Sequence, residues 1–345
     1  MRTAESLQKT FLTFAELECK GSSELYYELA QKIALDADLL ELCQTEKRGQ
    51  PIPNLLFGAV HYLLLRGSDH PLKQFYPSVV AHPDQTGDTF AAFKEFCLSH
   101  QEEIEQLLQT KIVQTNEVRR CAYLYPVFSA VYEKTQKPIA LIEIGTSAGL
   151  QLFWDKYAYA YGDGNTYGNE KSSLLLTTAI KSEVRPPMPN EVPPVTDRFG
   201  LDLNTIDLHN EDEKQWLKAL IWPDHQERLA LFEQAATYVL EGSVHFKDGD
   251  GIAQLETIAN MIDKDSTICI FHTHVANQLP AEAKERLLNT LAAIGQTRDV
   301  FHIYNNMTDP YLHGDAIING TERKQTLAVT EGHGKWVEWL TDKLF

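Results

Sequence analysis

Positive charge is scarce in this sequence. Lysine and arginine together number 31, against 48 aspartate and glutamate residues, which leaves a net charge of −17 over 345 residues. An acidic surface repels the phosphates of nucleic acids and the head groups of anionic lipids. The composition therefore argues against a nucleic acid partner and favours a small-molecule substrate.

Cysteine is also scarce, and its positions suggest no pairing. The five cysteines are odd in number and form no C-x-x-C motif; they are Cys19, Cys43, Cys97, Cys121 and Cys269. This pattern argues against a disulfide framework and against a structural zinc site. We expect no metal site, and we expect the protein to reside in a reducing cytoplasm.

Long apolar runs are missing as well. The longest, Leu55–Leu65, includes His61 and is too short to span a bilayer, so it predicts a buried helix. Charged residues interrupt the segment Met1–Glu16, which lacks the apolar core of a signal peptide. We expect no association with a membrane.

The chain has enough apolar material for more than one core. Hydrophobic residues make up 43% of its 345 residues, a length that predicts about two domains. In residues 1–135 the apolar spacing is that of helices, as at Leu25, Tyr26, Leu29 and Ile33. We predict an all-helical N-terminal domain over 1–135 and a second domain over 136–345.

The second domain shows alternating strand and helix patterns. The apolar run Ile139–Ile144 predicts a buried parallel strand, and a helix is predicted over Ala148–Tyr159. Further strands are predicted at 198–203, 244–246, 267–271, 300–304 and 327–329, and further helices at 213–220, 226–240, 252–262 and 281–293. This alternation predicts an α/β fold with a Rossmann-like parallel sheet and helices on both faces, with an insertion at about 163–197.

The most informative motif follows the first predicted strand. Residues 143–150 read Glu-Ile-Gly-Thr-Ser-Ala-Gly-Leu. The glycines allow a tight turn, and a helix that starts there would offer free N–H groups to an anion. The G-x-G-x-x-G fingerprint of dinucleotide binding fits poorly, because positions 147 and 150 are not glycine. An ordinary strand–helix turn is the alternative.

The motif E-x-G-x-x-x-G resembles the first motif of class I S-adenosylmethionine-dependent methyltransferases. The resemblance implies a class I methyltransferase-like Rossmann sheet, in which this loop holds the methionine end of S-adenosylmethionine. The implied cofactor-binding residues in the loop are Glu143, Gly145, Thr146, Ser147 and Gly149.

Two later positions would complete the cofactor site by the same resemblance. An acid at the end of the second strand would bind the ribose hydroxyls, and Asp202 has that local form although it lies 53 residues after Gly149. Asp207 competes for this role. In the loop containing Gly249 and Asp250, Asp250 would contact the adenine amino group, or it would cap the helix that follows.

Two histidines end the strand predicted at 267–271. His272 and His274 would lie beyond the carboxyl end of a parallel strand, where ligands bind in such sheets. Because a histidine can accept a proton near neutral pH, either is a candidate catalytic base. At i and i+2 on a strand they would point the same way, so half of a metal site is an alternative, and a buried histidine bonded to the backbone is another.

A polar segment before the first strand is a candidate substrate site. Asn116, Glu117 and Arg119 would form a wall of the pocket, and Arg119 would pair with a carboxylate. Thr115 or Asn116 could instead cap a helix.

Taken as a set, these motifs resemble an uncharacterised bacterial family that is described only as a domain of unknown function. The motifs lie at 114–117, 143–149, 202–207, 222–224, 249–250 and 333–336. We predict a methyltransferase that uses S-adenosylmethionine on a small molecule. The alternatives are a non-catalytic regulatory protein that binds an adenosyl ligand and an NAD(P)-dependent oxidoreductase.

Overall fold

The computed structural model describes residues 3–45, 49–84, 86–189 and 191–345, which form two compact units. One unit comprises Met1–Thr115 and His209–Ala230, and the other comprises Asn116–Leu208 and Leu231–Phe345. This division differs from the predicted boundary at residue 135.

The first unit is helical in its described residues. Its α-helices are α1 (Ala4–Phe14), α2 (Glu24–Ile33), α3 (Ala37–Leu42), α4 (Ile52–Leu65), α5 (Thr89–Ser99), α6 (Gln101–Thr110) and α8 (Glu211–Ala219). The prediction of a buried helix over Leu55–Leu65 is confirmed, because α4 buries residues on all sides. Within the described residues, no helix has both the length and the apolar character that a membrane span requires.

Helix α8 belongs to this unit because its side chains complete the helical core. Trp216 is buried in that core, and its indole Nε1 donates to the carbonyl of Ile112 at 2.8 Å. The buried ring of His61 lies 2.9 Å from the carbonyl oxygen of Ala219. These buried contacts explain why a segment from the middle of the sequence joins the N-terminal helices.

The second unit contains four α-helices and two sheets in its described residues. The helices are α7 (Cys121–Thr135), α9 (Gln226–Glu241, within which the division falls), α10 (Gly251–Met261) and α11 (Ala281–Gly295). The strands are β1 (Ile139–Ile144), β2 (Ala158–Ala160), β3 (Tyr167–Gly168), β4 (Leu175–Thr177), β5 (Ala179–Ile180), β6 (Val195–Asp202), β7 (His245–Asp248), β8 (Thr267–His272), β9 (Val300–Tyr304), β10 (Leu312–Ile318), β11 (Thr321–Arg323), β12 (Thr326–Thr330) and β13 (Trp336–Trp339).

The large sheet is mixed, with the order β5-β13-β12-β10-β9-β8-β1-β6-β7 and with β11 paired to β10. Strands β7, β6, β1, β8 and β9 are parallel to one another. Strand β10 runs antiparallel to β9, and β12 and β13 continue as antiparallel neighbours. The predicted α/β fold is confirmed, but the antiparallel pairing of β10 to β13 was not predicted.

Helices cover both faces of the parallel strands. Alternate residues of β1, such as Ala140 and Ile142, pack in one core with α10 and α11. On the opposite face, Phe128 of α7 packs edge-to-face against Phe271 of β8, with ring centroids 5.2 Å apart. Helix α7 therefore belongs to the sheet unit.

The prediction of a helix over Ala148–Tyr159 is wrong. A 3-10 segment spans Leu150–Lys156, and β2 begins at Ala158. Side chains donate to carbonyl groups that would accept backbone hydrogen bonds in an α-helix. Arg198 Nε donates to Leu152 O at 3.0 Å, and the Tyr157 hydroxyl donates to Leu150 O at 2.7 Å. These competing donors explain the failure of the prediction.

The predicted insertion at 163–197 contains strands β3 to β5 and the start of β6. Its residue 190 lies outside the described residues. Strands β3, β2 and β4 form a separate three-stranded sheet.

Candidate functional site

The glycine loop after β1 is bonded to the neighbouring strand. The backbone N–H groups of Gly145 and Thr146 both donate to the carbonyl of Leu201, at 2.7 and 3.1 Å. The N–H of Gly149 donates to the carbonyl of Thr146 at 2.9 Å. These donors are satisfied within the protein, so the loop does not present them to an anion as the sequence predicted.

Left-handed backbone conformations shape this loop. The φ angles of Gly145, Ser147 and Gly149 are +75°, +50° and +74°. A Cβ atom at Gly145 would lie 2.4 Å from Cγ2 of Val275, which is closer than carbon atoms can approach. Glycine is therefore required at position 145 both by conformation and by space.

Asp202 lies directly against the glycine loop. It ends β6, and its Oδ2 accepts a hydrogen bond from the Ser147 N–H at 2.8 Å. Its Oδ1 accepts from the Asn204 N–H at 3.1 Å, and burial raises the pKa of this carboxyl. The structure thus brings together the predicted acid and the predicted loop despite their separation in sequence. A carboxylate has about four lone-pair positions, so these two bonds leave room for hydroxyl donors.

The loop after β7 joins the same edge of the sheet. Asp248 pairs in register with Asp202, and the Gly249 N–H donates to the carbonyl of Asp202 at 2.9 Å. Asp250 caps α10, since its Oδ1 accepts from the N–H groups of Ile252 and Ala253. The capping alternative is therefore confirmed for Asp250. Its other oxygen accepts from Arg286, whose ion pair lowers the pKa of this exposed carboxyl.

Glu143 is a buried acid behind the loop. Its side chain is 3% exposed, and its Oε2 accepts a hydrogen bond from the Thr146 hydroxyl at 2.6 Å. Burial raises the pKa of Glu143 to about 8, and the nearby charge of Asp202 acts in the same direction. Most Glu143 side chains are therefore protonated at neutral pH.

The two predicted catalytic histidines lie in different surroundings. His272 is fully buried, with its Nε2 3.0 Å from Nε2 of His302, and burial lowers its pKa to about 3. Strand β8 ends at His272, and His274 has a φ of +57°. The strand alternation, on which the expectation of a shared ring direction depends, therefore does not extend to His274.

His274 instead contacts the end of the neighbouring strand β9. Its backbone N–H donates to Oδ1 of Asn305 at 2.7 Å, and its ring Nδ1 lies 3.0 Å from Nδ2 of Asn306. Burial, assisted by the charges of Arg120 and His333, lowers the pKa of His274 to about 3. Sequence reasoning missed both asparagines, although two consecutive polar residues at the end of a buried strand were an available signal.

Arg120 joins three segments at this edge. Its Nη1 donates to the carbonyl and the hydroxyl of Thr273, at 3.3 and 3.2 Å, and its Nε donates to the carbonyl of Gly332 at 2.9 Å. Gln151 also bonds the Thr273 hydroxyl, at 3.0 Å. Arg120 is 5% exposed, and sequence reasoning had selected its neighbour Arg119.

Of the predicted substrate residues, Glu117 and Arg119 are buried and Asn116 is half-buried. Glu117 Oε1 accepts from the Arg119 N–H at 3.1 Å, and Glu117 Oε2 lies 3.4 Å from Nδ1 of His333. The amide Nδ2 of Asn116 is buried without a hydrogen-bond partner among the described residues. These residues thus reach the C-terminal loop that contains His333.

We use the name histidine–arginine cluster for Glu117, Arg119, Arg120, His274 and His333. Across the described ranges, no group of three or more histidine, cysteine, aspartate or glutamate side chains has an arrangement that could hold a metal ion. The chemistry that these side chains offer is hydrogen bonding and charge.

A comparison with protein families finds a match over residues 8–339 to a family described as an uncharacterised protein conserved in bacteria, DUF2332. The match covers nearly the whole chain, so the chain belongs to this family. A comparison with curated proteins finds no match.

Proposed function

We propose that the second unit binds S-adenosylmethionine at the carboxyl ends of β1, β6 and β7, and that the protein is a methyltransferase acting on a small molecule. The observation that carries this proposal is the bond between Asp202 and the glycine loop. It sets the acid that would bind the ribose beside the loop that would hold the methionine end of the cofactor.

The order of the parallel strands supports this location. In chain order β1, β6, β7, β8 and β9 take the positions 3-2-1-4-5 across the sheet, as in doubly wound folds. The connection from β7 to β8 crosses to the other side of β1, which makes the crevice between β1 and β8 the topological switch point. Ligands of such sheets bind at this crevice, at the carboxyl ends of the strands.

The hydrogen bonds of the loop favour an adenosyl ligand over a dinucleotide. A pyrophosphate binds to free N–H groups at the start of a helix. Here the N–H groups of residues 145, 146, 147 and 149 donate to protein oxygens, and a 3-10 segment follows them. S-adenosylmethionine carries no pyrophosphate; donors other than these four N–H groups would bind the carboxylate of its methionine end.

Calorimetry and thermal shift would test the proposal with S-adenosylmethionine, S-adenosylhomocysteine, NAD and NADP. We expect the two adenosyl ligands to stabilise the protein, by about 2.7 kcal/mol at 100 times the dissociation constant. Stabilisation by NAD or NADP alone would refute the proposal and leave an oxidoreductase. Product formation with a labelled methyl group would then distinguish an enzyme from a non-catalytic sensor.

The variant Asp202→Asn tests the ribose contact. Asparagine keeps one oxygen that can accept from the Ser147 N–H, but it loses the bond to the Asn204 N–H and the charge that strengthens bonds to hydroxyls. We expect affinity for S-adenosylhomocysteine to fall about tenfold to a hundredfold. Asp197→Asn is the matched control, because Asp197 lies on the same strand at its opposite end. Equal effects of the two changes would mean that Asp202 does not contact the ligand.

A further inference from the structure

The hydrogen-bond network around His274 fixes which ring nitrogen carries its proton. A backbone N–H is always a donor, so the Asn305 atom that faces the His274 N–H at 2.7 Å must be the oxygen. The Asn306 atom that lies 3.2 Å from that oxygen must then be the nitrogen. Its other hydrogen points to Nδ1 of His274 at 3.0 Å. Nδ1 is therefore an acceptor, and the proton of the neutral ring is on Nε2.

This assignment changes the chemical role that His274 can take. A general base needs a free ring lone pair, and here the lone pair of Nδ1 is held by Asn306 while Nε2 is protonated. Burial keeps the ring neutral, because it lowers the pKa to about 3. His274 is thus a neutral hydrogen-bond donor rather than the base that the sequence predicted.

The donor of His274 lacks an acceptor. Its Nε2 atom is buried and has no hydrogen-bond partner among the described residues. Leaving a buried donor unsatisfied is unfavourable, and such groups in native proteins call for an explanation. A ligand oxygen at this position would satisfy it. The side chain of His333 is 40% exposed, so the cluster reaches the surface.

The charges around this donor favour an anion. Arg120 is close enough for its positive charge to act at the His274 ring, where it lowers the pKa of that histidine. A carboxylate oxygen can accept from Nε2 and would also be attracted by this charge.

We propose that His274, Arg120 and His333 form a subsite for a carboxylate of the substrate that accepts the methyl group. His274 donates from Nε2 to one carboxylate oxygen, and Arg120, whose guanidinium is held by Thr273 and Gly332, supplies the positive field. Gly332 lies between them, since a Cβ there would be 3.8 Å from Cε1 of His274. Assigning the carboxylate to a methyl acceptor rests on the proposed function, whereas anion binding itself does not.

Histidine ring spectra test the donor directly. In uniformly ¹⁵N-labelled protein, long-range ¹H–¹⁵N correlations distinguish the two neutral tautomers. We expect the ring of His274 to remain in the Nε2–H form between about pH 5 and 8, where an ordinary histidine titrates. A proton on Nδ1, or titration near the ordinary pKa, would overturn the assignment.

Acetate is the probe for the subsite, with its binding followed through the His274 ring signals and by calorimetry against chloride at constant ionic strength. The variant His274→Asn removes the Nε2 donor, while the asparagine amide can still supply an acceptor near the position of Nδ1. Asparagine also tolerates the positive φ at this position. We expect it to weaken acetate binding about tenfold to a hundredfold.

Two further variants separate loss of the donor from damage to the fold. His274→Gln places an amide donor near the position of Nε2 and should retain more affinity than His274→Asn. His82→Asn changes an exposed histidine of the first unit and should bind acetate as the unmodified protein does. Equal affinity of His274→Asn and the unmodified protein would refute the subsite.

S-adenosylhomocysteine distinguishes the source of the carboxylate. If acetate binds equally well with and without it, the subsite belongs to the acceptor substrate, as proposed. If the two compete, the subsite holds the cofactor's own carboxylate and the proposal is wrong. If acetate binds through His274 but no adenosyl ligand binds at all, the anion subsite stands and the proposed methyltransferase function fails.

Discussion

Replacing Glu143 by glutamine tests whether this acid is protonated in the folded protein. The pKa of Glu143 is about 8 in the folded state, against 4.5 for an ordinary glutamate. The folded protein therefore keeps a proton that the unfolded chain loses, and folding becomes less favourable as pH rises through this window. Each pKa unit corresponds to about 1.4 kcal/mol, so the ionisable side chain should cost a few kcal/mol by pH 8.

Glutamine has the shape of the protonated acid and does not titrate. We expect Glu143→Gln to match the unmodified protein below about pH 4 and, from about pH 5 to about pH 8, to become more stable relative to it by about 1.4 kcal/mol per pH unit. Above that pH the difference should level off, because the carboxyl is then ionised in both states. Midpoints of urea unfolding, measured from pH 5 to 9, would give this difference.

The matched control is Glu256→Gln. Glu256 is an exposed residue of α10 in the same unit, so Glu256→Gln makes the same chemical change at a site that is not buried. If the profiles of Glu143→Gln and the unmodified protein run parallel from pH 5 to 9, then Glu143 is ionised in the folded state.

Two further predictions concern the glycine loop and the buried histidine pair. Gly145→Ala should destabilise the second unit by about 2 to 4 kcal/mol, because it places an alanine in a left-handed conformation and in close contact with Val275. Thermal unfolding of Gly145→Ala, with and without Val275→Ala, would measure this loss. If Val275→Ala restores none of the lost stability, the packing argument is wrong. His272 has a folded-state pKa of about 3, so the stability of the protein should fall as pH drops below about 6.5, where the unfolded chain takes up the proton. His272→Gln keeps an amide near His302, and it should lose about 1.4 kcal/mol less stability per pH unit than the unmodified protein. Equal acid sensitivity of the two proteins in urea unfolding at pH 4 to 7 would show that His272 does not cause this loss.

The sequence predicted β1, β8 and β9 well because each is a short run that is buried along its whole length. The bounds of Ile139–Ile144 and Val300–Tyr304 are the observed ones. Strand β10 went unpredicted because its residues Leu312–Ile318 include a buried aspartate. Asp315 is accommodated there by the Tyr304 hydroxyl, which donates to it at 2.9 Å from the neighbouring strand. This contact depends on which strands are neighbours in the sheet, so the residues around Asp315 in the sequence do not predict it.

The residues of the candidate site also divide into those whose contacts the sequence could predict and those whose contacts depend on the folded structure. The proximity of Asp202 and the glycine loop follows from the rule that parallel strands end at one edge of a sheet, so sequence reasoning could anticipate it. The role of His274 could not be anticipated, because its tautomer depends on Asn305 and Asn306, which follow a different strand. Arg120 was missed for a similar reason, since its partners Thr273 and Gly332 are more than 150 positions away.

The edge of the sheet carries opposite chemistry on its two sides. Around β1, β6 and β7 it carries the carboxyl groups of Asp202 and Asp248, whereas beyond β8 and β9 it carries the donors of His274 and Arg120. Acids on one side suit the ribose hydroxyls of an adenosyl ligand and a nearby sulfonium, and donors on the other suit an anionic acceptor. On the proposed function, the methyl group would pass from the acidic side towards the side of His274 and Arg120. Alignment of two bound reactants can supply much of the acceleration of such a transfer.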